Sequence, residues 1–420
     1  MPGHGVVLIK VEPQVVSMLR RFAFALLAAL ASLAPTCPTT RARVAAVAPS
    51  KTVARGVRGD EDPARVAWSR AARLRRGVNL SHWFSQSPGR DYSETHLRTH
   101  TTARDIALIK EMGFDHVRFP FEPAPLFDEE HPSDLNPEYL RRLDDALDML
   151  LASGLSVVFD LHPSDEFKIK LRTDDRHVEA FADFWRALAR HLARRDPERL
   201  FLEIINEPMV EDAYRWMGIQ ARVAASVRDG APRHTIIATG PRWSAVDELL
   251  LIEPLADRNV IYNFHLYDPH TFTHQGATWG AEFWPYLKRV PYPSSPEAVT
   301  PLLASVEHES ARVALRAYGE ERWNAERIER MVALAADWAQ RRGVPLTCNE
   351  FGVYRTYAPA DARLRWIEDV RTALEKHRIG WAIWDYADSF GVAVKKDGRA
   401  TPDPQVVSAL GLRTRKQPGQ

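Results

Sequence analysis

The feature that most constrains this chain is an alternation repeated eight times. Short apolar runs rich in β-branched and aromatic residues recur from residue 75 onward: "RRGVNLSHWF", "FDHVRFPFEP" (114–123), "LSVVFDLHP" (155–163) and "LFLEIINEP" (200–208). "HTIIATG" (234–240), "NVIYNFHLYDP" (259–269), "VPLTCNEFG" (344–352) and "GWAIWDYAD" (380–388) complete the set. Runs of this length and composition read as strands buried on both faces. Between them lie stretches with apolar residues at three-to-four spacing, among them "TTARDIALIKEMG", "NPEYLRRLDDALDMLLASG", "VEAFADFWRALARHLARR", "EDAYRWMGIQARVAASVRD", "ERIERMVALAADWAQRRG" and "ADARLRWIEDVRTALEKH". These read as amphipathic helices, and Gly113 and Gly154 are placed to end the first two. Strand–helix alternation implies a parallel sheet, and eight repeats predict a closed (β/α)8 TIM barrel, an α/β fold. No linker interrupts the pattern, so residues 70–412 are expected to form one domain, with the main insertion, about 268–322, after the sixth strand.

The segments outside the alternation read differently. "MLRRFAFALLAALASLA", Met18 to Ala34, has two arginines and then a short apolar stretch of small residues, the pattern of a secretory signal. Residues 1–34 are therefore expected to be a signal region with Met18 as its start, and the protein to be secreted or periplasmic with no integral membrane domain after cleavage. Residues 35–69, rich in Ala, Arg, Val and Pro, read as a disordered lead-in, and 413–420 as a tail. The two cysteines, Cys37 in the leader region and Cys348 in a strand, predict neither a structural disulfide nor a thiolate zinc site. Lys plus Arg (56) nearly equals Asp plus Glu (55), and the net charge of +1 gives no electrostatic reason to expect nucleic acid as a partner.

Most of the predicted strands stop being apolar at their C-terminal ends, and they stop on reactive residue types. Arg118 ends the second, His162 the third, Asn206 and Glu207 the fourth, His265 and Tyr267 the sixth, Glu350 the seventh and Trp384 the eighth. In a parallel barrel these ends share one face, where this fold carries its chemistry. A lone His or Arg at a strand end is usually a satisfied structural residue; eight on one rim are harder to explain that way. Strands four and seven lie across the barrel, so Glu207 and Glu350 can face each other over its mouth. Paired carboxylates flanking a bond are the apparatus of glycoside hydrolysis, one protonated to assist the leaving oxygen and one ionised to attack. Arg118 and Tyr267 are placed to hold Glu350 ionised, Asn206 to bind a sugar 2-hydroxyl, His162 and His265 to orient these groups, and Trp384 to lie beneath the reacting ring. Twelve tryptophans suit sugar faces as well as cores. Trp279 and Trp284, in the insertion, read as sugar platforms; His270 and His274 either contact sugar or hold their loop. Trp185 and Trp216 fall in helical patterns and read as core, while Trp83 and Trp243 are open between core and cleft.

This strand-end set resembles glycoside hydrolase family 5, the cellulase-type retaining barrel glycosidases, over roughly residues 70–412. The family's Arg, His, Asn-Glu-Pro, His-x-Tyr, Glu and Trp positions match Arg118, His162, Asn206-Glu207-Pro208, His265 and Tyr267, Glu350 and Trp384 in order, and "GVNLSHWF" resembles its first strand. The resemblance implies that Glu207 is the acid/base and Glu350 the nucleophile, about 5 Å apart, with net retention of configuration. It implies no cofactor and a β-linked polysaccharide or oligosaccharide as substrate, first of all a β-1,4-glucan cut internally. Mannan, xyloglucan, β-1,3-glucan and a bacterial exopolysaccharide are alternatives, because the loop "YDPHTFTHQGATWG" and the insertion behind it do not transfer from the family. Two other classes fit the sequence less well. Metal-dependent hydrolysis lacks a His-x-His on the first strand or a dense carboxylate cluster. A catalytically inactive sugar-binding protein is at odds with a complete set of supporting residues.

Overall fold

The computed structural model describes residues 62–413. The eight apolar runs become strands β1 (Arg76–Asn79), β2 (His116–Phe121), β3 (Ser156–Leu161), β4 (Leu200–Glu203), β5 (Thr235–Thr239), β6 (Val260–Leu266), β7 (Leu346–Phe351) and β8 (Gly380–Ile383). Each pairs in parallel with the next, and β8 closes on β1 through Arg76, Gly77 and Val78 against Trp381, Ala382 and Ile383. The result is a (β/α)8 barrel.

Local chemistry explains the helices between the strands. Helix Ala103–Glu111 starts in a reciprocal capping box between Thr102 and Asp105, and Pro137–Ala152 starts on an Asn136 cap with proline at its first position. Gly113 and Gly154 follow these two helices at φ of 96° and 92°, a conformation that a side chain would disfavour. Helices Asp175–Leu192 and Ala213–Gly230 bury Trp185 and Trp216, and Trp366 is buried on Ala360–Lys376. Their indole N–H groups donate to Ile204 O (2.9 Å), Thr239 O (2.8 Å) and Asp268 O (3.1 Å), carbonyls at or just beyond the ends of β4, β5 and β6. The core tryptophans thus tie the rim of the barrel to its outer helical layer. Trp83 is also core, donating to Leu97 O.

The interior of the barrel has two layers. Leu74, Val158, Phe201, Ile237 and Ile261 form a separate apolar cluster low in the barrel. Two residues further along the same strands come Asp160, Glu203, Thr239 and Asn263, so strand alternation places a polar layer above it. In β7 the pairing with β6 slips by one residue: Phe264 pairs with Cys348, but His265 pairs with Glu350. Asn349 is the extra residue of this bulge, which lets Asn349 and Glu350, adjacent in sequence, both reach the interior.

One expectation is corrected. The end of the segment read as disordered lead-in, 35–69, is helical: Pro63–Ala71 starts with Asp62 capping Ala64 N and proline at its first position. Arg70 anchors it from below, through Glu198 (2.9 Å), Thr235 Oγ1 (3.0 Å) and Arg233 O (2.6 Å). Its composition hid a helix whose stability comes from packing under the barrel. The signal region 1–34, the rest of the lead-in and residues 414–420 lie outside the described residues. Between β6 and helix Ala325–Arg342 the chain forms helices His270–Thr273, Pro296–Leu303 and Glu309–Glu321. After β8 a hairpin, Ala393–Lys396 with Arg399–Pro402, turns at Asp397 and Gly398, both at positive φ. Among the described residues no helix is long and apolar enough to cross a membrane. Cys348 is a buried free thiol.

Candidate active site

The polar layer is organised around Arg118, and all five of its N–H groups are used. Nε and one Nη2 hydrogen go to the two oxygens of Glu203 (2.9 and 3.0 Å), and the other Nη2 hydrogen goes to Asn206 Oδ1 (2.8 Å). Nη1 serves Glu350 Oε1 (2.5 Å) and Asn79 Oδ1 (3.0 Å). Asp160 Oδ2 lies 3.0 Å from Nη2. One guanidinium therefore faces three carboxylates, all of them buried. Burial works against its charge, but those three anions raise its pKa well above the usual value. Burial pushes Asp160 up to about 7 against the pull of Arg118, and burial also raises Glu203.

Above this layer stands the rim. Glu350 accepts from Arg118 on Oε1 and from the Tyr267 hydroxyl on Oε2 (2.8 Å), so a donor holds each of its oxygens. Tyr267 remains a phenol: burial, then the neighbouring charge of Glu350, raises its pKa strongly. Glu207 follows β4 at φ 43°, left-handed for a non-glycine residue, in the manner of strained backbone at functional sites. Its Oε1 lies 2.9 Å from His265 Nδ1. An oxygen of Glu207, one of Glu350 and a ring nitrogen of His265 lie within 4.8 Å of one another.

The histidine tautomers follow from the amides beside them. Asn206 Oδ1 accepts from Arg118, so its Nδ2 must face His162 Nε2 (3.2 Å) and donate to it, as Gln86 Nε2 does at 3.1 Å. His162 then carries its proton on Nδ1, towards Asp160 Oδ2 at 2.9 Å. Asn263 Oδ1 accepts from Asn349 N, which turns its Nδ2 towards His265 Nε2 at 3.5 Å and leaves the proton on Nδ1, towards Glu207. Both rings are neutral. Burial drives His265 down to about 4, and burial with the charge of Lys168 drives His162 lower than its ordinary value. Glu207 Oε1 is thus an acceptor, and Oε2 is the oxygen available to hold a proton for a substrate.

A metal ion does not suit this donor set. Both oxygens of Glu350 are engaged by Arg118 and Tyr267, His265 presents an N–H and not a lone pair to Glu207, and a fixed cation already sits 2.5 Å from Glu350.

Trp384 is buried at the end of β8, stacked near His162 (centroids 5.8 Å), and its peptide bond to Asp385 is cis. The insertion residues are more dispersed. Trp284 stacks on His274 (4.6 Å) and His270 (5.8 Å), and His274 in turn packs against Tyr267 (5.2 Å). Ring surface of Trp284 is thus taken by imidazoles, while His270 is about half exposed. Trp279 is 47% exposed, edge-on to Tyr354 and 6.5 Å from Phe390, which itself contacts Tyr267. Trp243 is half-exposed beside the Glu207–Pro208 turn, its backbone N–H donating to Pro208 O (2.9 Å).

The sequence reading did not single out Asn79, Gln86, Asp160, Glu203, Asn263 or Asn349. A signal existed for two of them: Asp160 in "VVFDL" and Glu203 in "FLEII" are charges inside runs that must be buried on both faces, and such charges need a partner.

Comparison with known proteins agrees with the geometry. The model of the family Cellulase (glycosyl hydrolase family 5) matches residues 79–389. The chain belongs to glycosyl hydrolase family 5. It is therefore a glycoside hydrolase. Among curated family 5 relatives, Endoglucanase C of Acetivibrio thermocellus is 28% identical over 343 residues, covering 80% of this chain and 98% of that protein. Cellodextrinase A of Ruminococcus flavefaciens is 28% identical over 313 residues, covering 72% and 83%. Of solved structures, Thermotoga maritima Cel5A in complex with cellobiose superposes with a TM-score of 0.65 at 25% identity, covering 83% of this chain and all of that one. The same enzyme has been solved with mannotriose.

Proposed function

We propose that this family 5 enzyme cleaves internal β-1,4 linkages of a glucan with retention of configuration, using Glu350 as nucleophile and Glu207 as acid/base. The observation that carries the reading is the closeness of the two carboxylates, with oxygens within 4.8 Å. Retaining glycosidases hold the pair about 5 Å apart, whereas inverting ones need about 6.5–9.5 Å to admit a water between them. In the first step Glu350 attacks the anomeric carbon, the glycosidic C–O bond breaks, and the proton on Glu207 Oε2 passes to the leaving oxygen. In the second, water attacks the same carbon, gives its proton to Glu207, and Glu350 departs. Arg118 and Tyr267 keep the attacking carboxylate ionised and oriented. Asn206 Nδ2 has a second hydrogen for the sugar 2-hydroxyl. His162 holds Asn206, His265 holds Glu207, and Trp384 lies beneath the reacting ring.

The choice of β-1,4-glucan is supported by relatives named endoglucanase and by the cellobiose complex of a 25% identical structure. Mannan is the second substrate to test, because that same enzyme has been solved with mannotriose. Trp279, with its exposed face, is the insertion residue best placed to extend the cleft; Trp284 and His270 stack on each other instead. The reading includes export on the strength of the Met18–Ala34 segment. Reducing-sugar release from carboxymethyl-cellulose, mannan, laminarin and xyloglucan, with the first-formed anomer followed by NMR, tests it. Fast release from carboxymethyl-cellulose with the β-anomer formed first is expected. An α-anomer, or Glu350→Gln and Glu207→Gln variants that keep full activity while folded, would overturn it.

A further inference from the structure

We infer that Glu203, a third carboxylate beneath the two catalytic ones, is a positioning residue that aims both of them. The inference rests on the assignment of Glu207 and Glu350 above, and it starts from a count of donors.

Glu203 is enclosed on β4 and receives four N–H groups. Arg118 Nε and Asn349 Nδ2 reach Oε2, both at 2.9 Å; Arg118 Nη2 and Asn263 Nδ2 reach Oε1 at 3.0 and 3.2 Å. Four donors and no acceptor around one carboxyl require the ionised form, because a carboxylic proton would point at another hydrogen. Its two oxygens thus grip residues from β2, β6 and β7 at once. Two of the grips lead to Glu350 and one to Glu207.

The first runs through Arg118. Glu203 holds the Nε–Nη2 edge of the guanidinium in bidentate fashion, and a planar fork gripped on one edge has its other N–H groups aimed by geometry alone. Those N–H groups are the ones that meet Glu350 and Asn206. The second runs through Asn263. Its Nδ2 faces both Glu203 Oε1 and His265 Nε2, which fixes the proton of His265 on the side of Glu207. The third runs through Asn349, the bulged residue directly before Glu350 in the chain, so its anchorage fixes the backbone from which Glu350 springs. Glu203 is buried beneath the rim. It acts through other residues, and its paths reach both catalytic glutamates.

The consequence is specific. Glu203→Gln keeps the shape but removes one negative charge and turns an NH2 towards two of the N–H donors. Arg118 then loses one of its counter-charges, and its field falls more strongly on Glu350.

The experiment compares Glu203→Gln and Glu203→Asp with the wild-type enzyme, with active sites titrated by an activated aryl cellobioside. Glu203→Gln should lower kcat on cello-oligosaccharides by about 100-fold, the cost of roughly an ångström of misplacement, with KM within threefold. The acid limb of its kcat/KM profile should move down by about one pH unit, because a negative neighbour has gone. Glu203→Asp keeps the charge but shortens the reach, so kcat should fall while the acid limb stays. Asn263→Ala cuts the path to His265 and also removes the acceptor of Asn349 N: it should slow substrates with poor leaving groups more than those with dinitrophenyl leaving groups, which need no acid. Glu203→Gln with kcat within threefold of wild type per titrated site and an unmoved acid limb overturns the inference. If that variant does not fold, Glu203→Asp decides, and kcat within threefold of wild type overturns it. Active Glu350→Gln and Glu207→Gln would instead remove the reading on which the inference rests, so the two failures are separable.

Discussion

The two ends of the barrel use arginine in opposite ways. At the bottom Arg70 meets one carboxylate, Glu198, whose side chain is 44% exposed, and two further oxygens from Thr235 and Arg233. At the top Arg118 meets three carboxylates and is entirely enclosed with them. At the bottom Arg70 is buried, but its partner Glu198 is open to water and two neutral oxygens also accept from it, so the pair acts as a tether for helix Pro63–Ala71. The top cluster has no such release. Every N–H there has an assigned acceptor, and losing one member leaves the others stranded in a low-dielectric interior. One end of the fold is built to hold, the other to aim.

The largest expected effect comes from exchanging the two arginines for methionine. Arg118→Met should remove at least about 10³-fold of kcat and cost about 3–5 kcal/mol of stability, the usual penalty for breaking a buried ion pair. Arg70→Met should leave kcat alone and cost about 1–2 kcal/mol. Denaturant unfolding with parallel kinetics checks both, and comparable losses would erase the contrast between the ends.

A second test uses acid. His265 at the top and His234 at the bottom are both pushed down to about 4, in each case by burial first. At pH 7 both are neutral, folded or unfolded. Below about 6.5 the unfolded chain takes up protons that the folded one refuses, so stability falls as pH drops from about 6.5 to about 4 and levels off beneath. Each group contributes up to about 3 kcal/mol to that loss. Both ring nitrogens of His234 lack partners, so it can be replaced without breaking a hydrogen bond. His234→Leu should flatten the acid slope by about 2–3 kcal/mol between pH 7 and 4 with the pH–rate profile unchanged. A slope equal to wild type would sink this expectation.

The smallest effect belongs to the exposed acid. Glu198→Gln should cost less than about 1 kcal/mol, and less still in high salt, as half-solvated pairs do. A salt-insensitive loss would make the bottom resemble the top after all.

The sequence was most legible where hydrophobic pattern and position agree. All eight strands stood out because strands covered on both faces are nearly continuous apolar runs. The rim residues stood out because His162, Glu207, His265 and Glu350 interrupt those runs at or near their ends; Arg118 stood out too, although it lies inside β2, three residues before its end, and not at the strand end where the sequence places it. The rest of the layer around it was not legible. Asp160 and Glu203 lie within the runs, where one charge looks like noise, and their partners come from strands far along the chain. Asn349 needed the bulge, which is a matter of pairing that no single strand displays. Helix Pro63–Ala71 was lost to composition, although Asp62 before Pro63 is a start signal. The hairpin after β8 was missed too, although Asp397-Gly398 is a favoured two-residue turn.

The slipped pairing in β7 has an outcome for anyone altering this protein. Side chains on a regular ribbon take alternate sides, so two in succession cannot both look inward. Trimming a single residue here would force a choice between Asn349 and Glu350 for the inward side. A catalyst with one of them facing outward would be a well-formed cylinder that no longer cuts sugar.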